Sequence, residues 1–267
     1  MIKIGVAGCT GLMGIDIIKE ILTRDEVSLV AATTRAGNRY IGEDVGILLS
    51  NKGPIGITIN DNYEVLCQNS DVIVDFTSPD ASLHLSKINA GYKKNLIIGT
   101  TGFINEQKEL LLEYTCNNVL VISANMSIGI NLLCKLIKRA VKALPEFDIE
   151  IIEKHHRNKK DAPSGTALLL GNVIAETQRV NLSDKVVLSR LGDVKRTDGE
   201  IGFSVIRGGD IVGEHTVMFA GIGEQVEIIH KATDRSIFAK GAVKAAIWSI
   251  NQKPGLYSME DVLDSDI

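Results

Sequence analysis

The chain lacks the features that would tie it to a membrane, to nucleic acid or to an oxidising compartment. Its four cysteines, Cys9, Cys67, Cys116 and Cys134, include no C-x-x-C pair. That argues against a disulfide frame or a zinc site and for free thiols in a reducing cytosol. No uncharged apolar run approaches the ~20 residues that a bilayer span needs. Lys and Arg number 29 against 33 Asp and Glu, a net charge of −4, so no basic excess invites nucleic acid. The opening "MIKIGVAG" leaves no room for a basic segment and an apolar one ahead of the first structured element. A secretory signal is therefore not expected, and the chain reads as cytoplasmic. No internal repeat, low-complexity tract or flexible linker interrupts it. What remains is a globular composition, 45% hydrophobic and 23% charged over 267 residues, long enough for one large domain or two ordinary ones.

The first half alternates strand-like and helix-like segments. "IKIGVAG", "VSLVAATT", "SDVIVDFTSP", "NLIIGTTG" and "NVLVISANM" are short Val/Ile/Leu runs, the mark of a parallel sheet covered on both faces. Pro79 is expected to stop the third of these. Between the first two lies "GLMGIDIIKEILTR", whose helical spacing places Ile15, Ile18 and Leu22 on one face. The pattern changes after about residue 127. An amphipathic helix, "INLLCKLIKRAVKAL", is stopped near Pro145, and "DIEIIEKHH" reads as a strand and "TALLLGNVIAET" as a helix. "GFSVIRGGDIVGEHTVMF" and "EQVEIIHKAT" are longer strand-like pieces before a final helix, "SIFAKGAVKAAIWSI". The expected architecture is α/β, an N-terminal Rossmann-like parallel sheet domain followed by a separate α+β domain.

After the first strand comes "GCTGLMG", with glycines at 8, 11 and 14. Strand, glycines, then helix is the setting of a dinucleotide site: the turn is tight, and the helix start offers free N–H groups to a phosphate. The spacing departs from G-x-G-x-x-G, so the motif alone leaves a ligand-free glycine turn open. A carboxylate closing the second strand would hold the ribose hydroxyls of NAD. That strand ends instead in Thr33, Thr34 and Arg35. An arginine can clamp a 2′-phosphate, which leans toward NADP; a solvated surface arginine is the other reading.

The stretch "EKHHRNKKDAPSGTA" holds two of the chain's five histidines side by side, His155 and His156, with Arg157, Lys159 and Lys160 close behind. Successive strand residues face opposite ways, so the two histidines share a site only if the strand ends between them. Ser164, Gly165 and Thr166 then open an apolar helix, a second anion-binding helix start. The residues describe a pocket for a small anion, a carboxylate first, with a histidine and a lysine able to move protons. Phosphate, a metal and a merely solvated basic loop stay open on the residues alone, although zinc would want more ligands at fixed spacing.

That stretch resembles the E-x-H-H-x-x-K-x-D-x-P-S-G-T-A signature of the dihydrodipicolinate reductase family, now also called 4-hydroxy-tetrahydrodipicolinate reductases. Further matches run along the chain: the glycine loop at 8–14, "DFTSP" at 75–79, "GTTGF" at 99–103, "ANMSIGIN" at 124–131, "GEHTVMF" at 213–219 and "GLYSMEDVL" at 255–263. The resemblance implies NAD(P)H-dependent reduction of a cyclic dicarboxylate, with loss of water, in the diaminopimelate route to lysine. It implies a dinucleotide-binding domain over 1–127, a substrate and tetramerisation domain over 128–238, and a segment, 239–267, returning to the first. His155 resembles the family's proton donor/acceptor and Lys159 its partner. His156, Gly165 and Thr166 resemble substrate-binding positions. Cofactor positions are implied at Gly8, Cys9, Thr10, Gly11, Leu12, Met13, Gly99, Thr100, Thr101, Ser123, Ala124, Asn125 and Met126, with Thr34 and Arg35 after the second strand. Many members carry Glu then Arg there, so Thr34 strengthens the lean toward NADPH over NADH. The expected partners are a small dicarboxylate and further copies of the chain in a homotetramer. A related aspartate or homoserine dehydrogenase would share the glycine loop without the H-H-x-x-K and P-S-G-T residues. A dinucleotide-sensing regulator would need no proton-transfer pair.

Overall fold

The structure, a computed structural model, describes residues 1–49 and 53–264. They form two compact units. One takes Met1–Ile128 together with the chain from Ser236 onward, and the other takes Gly129–Arg235.

The first unit runs β1 (Ile2–Ala7), α1 (Leu12–Ile21), β2 (Val27–Thr33), β3 (Ile59–Asn60), α2 (Tyr63–Asn69), β4 (Val72–Asp75), α3 (Pro79–Asn89), β5 (Asn95–Ile98), α4 (Asn105–Tyr114) and β6 (Val119–Ile122). The second holds most of α5 (Ile128–Ala143), then β7 (Asp148–His155), α6 (Gly165–Gln178), β8 (Val186–Val187), β9 (Ile201–Arg207), β10 (Gly213–Ala220) and β11 (Gln225–Ala232). The chain then re-enters the first unit as α7 (Ser236–Ser249), β12 (Gly255–Tyr257) and α8 (Met259–Asp264). The last residues of the expected C-terminal segment, 265–267, lie outside the described residues.

The first unit's sheet has the order β12-β6-β5-β4-β1-β2-β3, every pair parallel. Without β12 this is the strand order of dinucleotide-binding sheets, whose switch point lies between β1 and β4. Alternate strand residues feed two cores. Ile4, Val6, Val72, Val74 and Ile97 pack under α1, α7 and α8, while Ile73, Leu96, Ile98 and Leu120 pack under α2, α3 and α4. A sheet buried on both faces has no polar side to alternate, hence the unbroken apolar runs.

Two details depart from the sequence reading. The buried stripe of α1 is Gly14, Ile17, Ile18 and Ile21, with Ile15 and Leu22 at its margins. The stripe is rotated toward α7, which packs against α1 in the same core and brings the small residues Ala239, Ala242, Ala245 and Ala246 to it. Pro79 does not terminate β4, which has already ended at Asp75. It sits at the first turn of α3, where its missing N–H costs nothing.

The second unit is a mixed five-stranded sheet, β11-β10-β7-β9-β8. Ile149, Ile151, Phe203, Val217 and Phe219 face α5 and α6 in one core. The strict burial alternation of β7 and β10 leaves their other face half-exposed. Among the described residues no helix is long and apolar enough to cross a membrane.

Candidate active site

In the first unit the strand ends lie in one line. Thr33 and Asp75 both pair with Ala7, Asp75 pairs with Ile98, and Ile98 with Ile122. The turns that follow β1, β2, β4, β5 and β6 therefore share the carboxyl edge, the ligand edge of open α/β sheets. The glycine loop is shaped by backbone bonds: Gly8 and Cys9 N–H both donate to the Thr33 carbonyl, and Gly11 N–H donates to Gly8 O. Gly8 has φ +78, which an L side chain rarely adopts, and no side chain caps α1 at Gly11. A Cβ on Gly14 would overlap the Gly8 carbonyl oxygen and come within 2.8 Å of Cys9 Cα. The loop and helix are thus pressed together, leaving first-turn N–H groups for a phosphate.

Thr10 and Thr34 hydroxyls lie 2.7 Å apart, and Asn38 Nδ2 donates to Thr10 Oγ1 at 3.3 Å. These bonds tie the turn after β2 to the glycine loop. Residues 34–42 contain no carboxylate, and Arg35 is exposed with no ion pair among the described residues. The DFTSP and GTTGF motifs meet through Thr100, whose Oγ1 accepts from Thr77 N–H and Ser82 Oγ at 3.0 Å each. Asp75 is buried beside them, accepts the Thr77 hydroxyl at 2.6 Å, and is pushed up to about 6 by burial against its hydrogen bonds. Of the remaining positions expected from the sequence to meet a cofactor, Leu12, Thr101 and Ala124 are exposed and Met13 is half-buried. Gly99 N–H donates to Asp75 O, Ser123 Oγ donates to Asn125 O, and Asn125 Oδ1 accepts from Ser127 N–H. Cys9 and Met126 point their side chains into the core, so only their backbone can meet a ligand. Burial also pushes the Cys9 thiol up to about 12, which keeps it unreactive.

In the second unit β7 ends at His155, and His156 begins the loop. His155 is buried against Glu153, whose Oε2 meets His155 Nδ1 at 2.5 Å. Arg207, paired across β7–β9 with His155, grips both Glu153 oxygens at 2.8 Å. Ser164 N–H donates to Glu153 Oε1 at 2.9 Å, and Ser164 Oγ caps α6 by accepting from Ala167 N–H. His215 packs edge-on against His155 at 5.2 Å and meets Ser164 Oγ at 3.2 Å. Lys159 reaches Asp161 at 2.9 Å, and its positive charge acts on His155 without a hydrogen bond between them. Gly165 is exposed at the helix start, Thr166 half-buried.

Burial lowers the His155 pKa, opposed by the bond and charge of Glu153, while Lys159 and Arg207 lower it further. Burial works to raise Glu153, but Arg207, His155 and the Ser164 N–H outweigh it and hold the carboxylate ionised. His215 is driven down to about 4, first by burial and then by His155, so it is neutral at pH 7. Sequence reading missed Glu153, Arg207 and His215 around His155, and the bond that ties Ser164 to Glu153. Strand alternation alone could have named Glu153, two residues before His155 on one face. Arg207 and His215 needed the strand register. Among the described residues no cluster of His, Cys, Asp and Glu is arranged to hold a metal.

Residues 2–126 match the family model "Dihydrodipicolinate reductase, N-terminus", and 129–263 match "Dihydrodipicolinate reductase, C-terminus". The chain belongs to the dihydrodipicolinate reductase family. A 4-hydroxy-tetrahydrodipicolinate reductase of Hahella chejuensis is 46% identical over 265 residues, covering 98% of this chain and 99% of that one. One from Nitrosomonas europaea is also 46% identical, covering 98% of both chains. The structure of a dipicolinate-bound dihydrodipicolinate reductase from Paenisporosarcina sp. TG-14 superposes with a TM-score of 0.79 at 25% identity, over 98% of this chain and 99% of that one. Reductases of this family require a nicotinamide cofactor, and the bare N-terminus of α1, the Gly8 turn and Arg35 are chemically suited to its phosphates.

Proposed function

We propose that this chain uses NADPH to reduce 4-hydroxy-tetrahydrodipicolinate, with loss of water, to tetrahydrodipicolinate, and that His155 manages the proton. Membership of the family makes the chain an NAD(P)H-dependent oxidoreductase of diaminopimelate and lysine biosynthesis. The observation that carries the residue assignment is the Glu153–His155 bond at 2.5 Å. With Nδ1–H directed at a carboxylate, the neutral ring keeps its lone pair on Nε2, and the charged ring carries the transferable proton there. Nε2 delivers that proton to the carbanionic carbon left on the substrate after hydride addition. His156, Lys159 and the Gly165–Thr166 turn hold the substrate's carboxylates through cationic charge and helix-start N–H groups. When bound, the nicotinamide supplies the hydride. Gly8 to Met13 would hold its diphosphate, residues 99–101 and 123–126 would contribute to its site, and Arg35, with Thr34 in place of an acidic residue, would favour a 2′-phosphate.

The half-exposed sheet face of the second unit, with Ile152, Thr216, Met218 and the exposed Ile229, suits a homotetramer of this chain. That none of the four cysteines is in a disulfide fits work in the cytoplasm. The test follows NADPH and NADH absorbance with freshly generated 4-hydroxy-tetrahydrodipicolinate, with oxaloacetate plus ammonia and aspartate semialdehyde as controls. Oxidation only with the first substrate, faster with NADPH, is the expected result. Equal use of both cofactors overturns the NADPH assignment, and sedimentation as a monomer overturns the tetramer.

A further inference from the structure

We propose that Glu153 is the positioning residue of the substrate site, holding His155 in one tautomer and the Ser164–Gly165–Thr166 turn in place through the same carboxylate. The proposal rests on His155 being the proton-transfer group.

Glu153 is fully buried and receives four hydrogen bonds: His155 Nδ1 and Arg207 Nη1 on Oε2, Ser164 N–H and Arg207 Nη2 on Oε1. That fills the acceptor capacity of a carboxylate. The donors come from β7, from β9 and from the turn that opens α6. Among the described residues Glu153 is the buried carboxylate that bonds both the proton-transfer ring and the backbone of the anion-binding turn. Arg207 adds a second tie, since Nη2 also donates to the Asp161 carbonyl and so braces the loop that carries Lys159. His215 supports the arrangement from β10. Ser164 Oγ accepts from Ala167 N–H and lies 3.2 Å from His215 Nε2. Burial keeps the His215 ring neutral at pH 7, and it packs edge-on against His155. On the remaining side of the His155 ring stands Gly213, where even a Cβ would come within 3.1 Å of Nε2. The absent side chain leaves that nitrogen uncovered.

Charge acting on His155 thus comes from Glu153 on its own strand, Arg207 on β9 and Lys159, with Asp161 behind it, on the loop, while His215 faces it from β10 as a neutral ring. Only Glu153 favours the protonated ring. In Glu153→Gln a neutral amide replaces it and can donate to Nδ1, which puts the proton on Nε2 in the neutral ring and removes the acceptor there. Loss of the correct tautomer in a histidine catalyst is severe, so kcat should fall by roughly 10²–10⁴-fold.

The test is a double-mutant cycle in the full-length protein: wild type, Glu153→Gln, His155→Ala and the double variant, assayed for kcat, substrate KM and NADPH affinity. The expected result is a kcat loss in Glu153→Gln with NADPH affinity unchanged. Adding Glu153→Gln to His155→Ala should cost less than about threefold more. The limb of the pH profile on which activity falls with rising pH should move to lower pH, and Glu153→Asp, which keeps the charge, should recover part of the rate. An equal loss in both backgrounds, or an unmoved pH limb, overturns the positioning role. Wild-type kcat in His155→Ala instead overturns the assignment of His155 on which it rests. Should Glu153→Gln not fold, 15N NMR of the wild-type histidines decides the matter: the proposal requires Nδ1–H on neutral His155, and Nε2–H refutes it.

Discussion

Gly14→Ala puts one methyl group where the glycine loop meets α1. The new Cβ would overlap the Gly8 carbonyl oxygen and sit 2.8 Å from Cys9 Cα. Both are backbone atoms, so no side chain can rotate away. Gly8 cannot yield cheaply either. Its amide and that of Cys9 are bonded to Thr33 O, and its own Cβ position is already closed by Thr77 Cγ2 and Phe76 O at 2.9 and 3.0 Å. Helix α1 must then shift within a close-packed core, where it is in contact with α7. Overpacking of this kind costs roughly 1–3 kcal/mol. At about 2–4 °C per kcal/mol for a chain of this size, Tm should fall by roughly 2–12 °C. Trp248, the only tryptophan, lies on α7 against the same core and reports the transition by fluorescence. A displaced helix start also misplaces its N–H groups, so NADPH affinity by calorimetry should weaken about tenfold or more, 1.4 kcal/mol per decade. Unchanged Tm and unchanged NADPH affinity would refute the claim that this close approach builds the phosphate site.

The remaining predictions concern charge. Arg35→Ala should weaken NADPH at least tenfold more than NADH; equal weakening in a binding titration would show that Arg35 does not contact the 2′-phosphate. The two units should respond to pH with opposite sign. Asp75 titrates near 6 when folded against 3.8 unfolded, so folding of the first unit takes up a proton, and that unit loses stability as pH rises from 4 through 6. His215 titrates near 4 against 6.5, so the second unit loses stability as pH falls from 6.5 toward 4. Each contribution is on the order of 3 kcal/mol. Hydrogen exchange in β4 and β7 across pH 4–7.5 should reveal the opposed slopes, flattened by Asp75→Asn and His215→Gln respectively. Arg207→Ala strands a buried carboxylate and should cost about 3–5 kcal/mol in urea melting. The exposed pair Lys19–Asp16 should be worth less than about 1 kcal/mol.

The strands of the first unit were legible because a sheet buried on both faces writes itself as Val/Ile/Leu runs, and the loops at its carboxyl edge because glycine and threonine end those runs. The rotation of α1 was hidden: Ile15, Ile17, Ile18 and Leu22 are equally apolar, and only the position of α7, more than two hundred residues on, selects among them. The appended strand β12 is three residues long, too short for any periodicity. In the second unit the basic cluster stood out by composition, yet residues alone could not tell a solvated loop from a pocket. What separates the two is Glu153, which looks like one more charged residue in "DIEIIEKHH" until its burial and its four donors are seen. Arg207 and His215 reach it from strands fifty or more residues away, through a register that no local pattern encodes.

The central claim is that proton transfer resides on His155, in a unit separate from the one that carries the glycine loop. The most direct measurement is kcat together with the NADPH dissociation constant for His155→Ala. The account predicts a kcat lower by about 10²–10⁴-fold, or roughly 3–5 kcal/mol of transition-state stabilisation, with NADPH affinity as in the wild type. Wild-type kcat, or a loss explained by weaker NADPH binding, would contradict it.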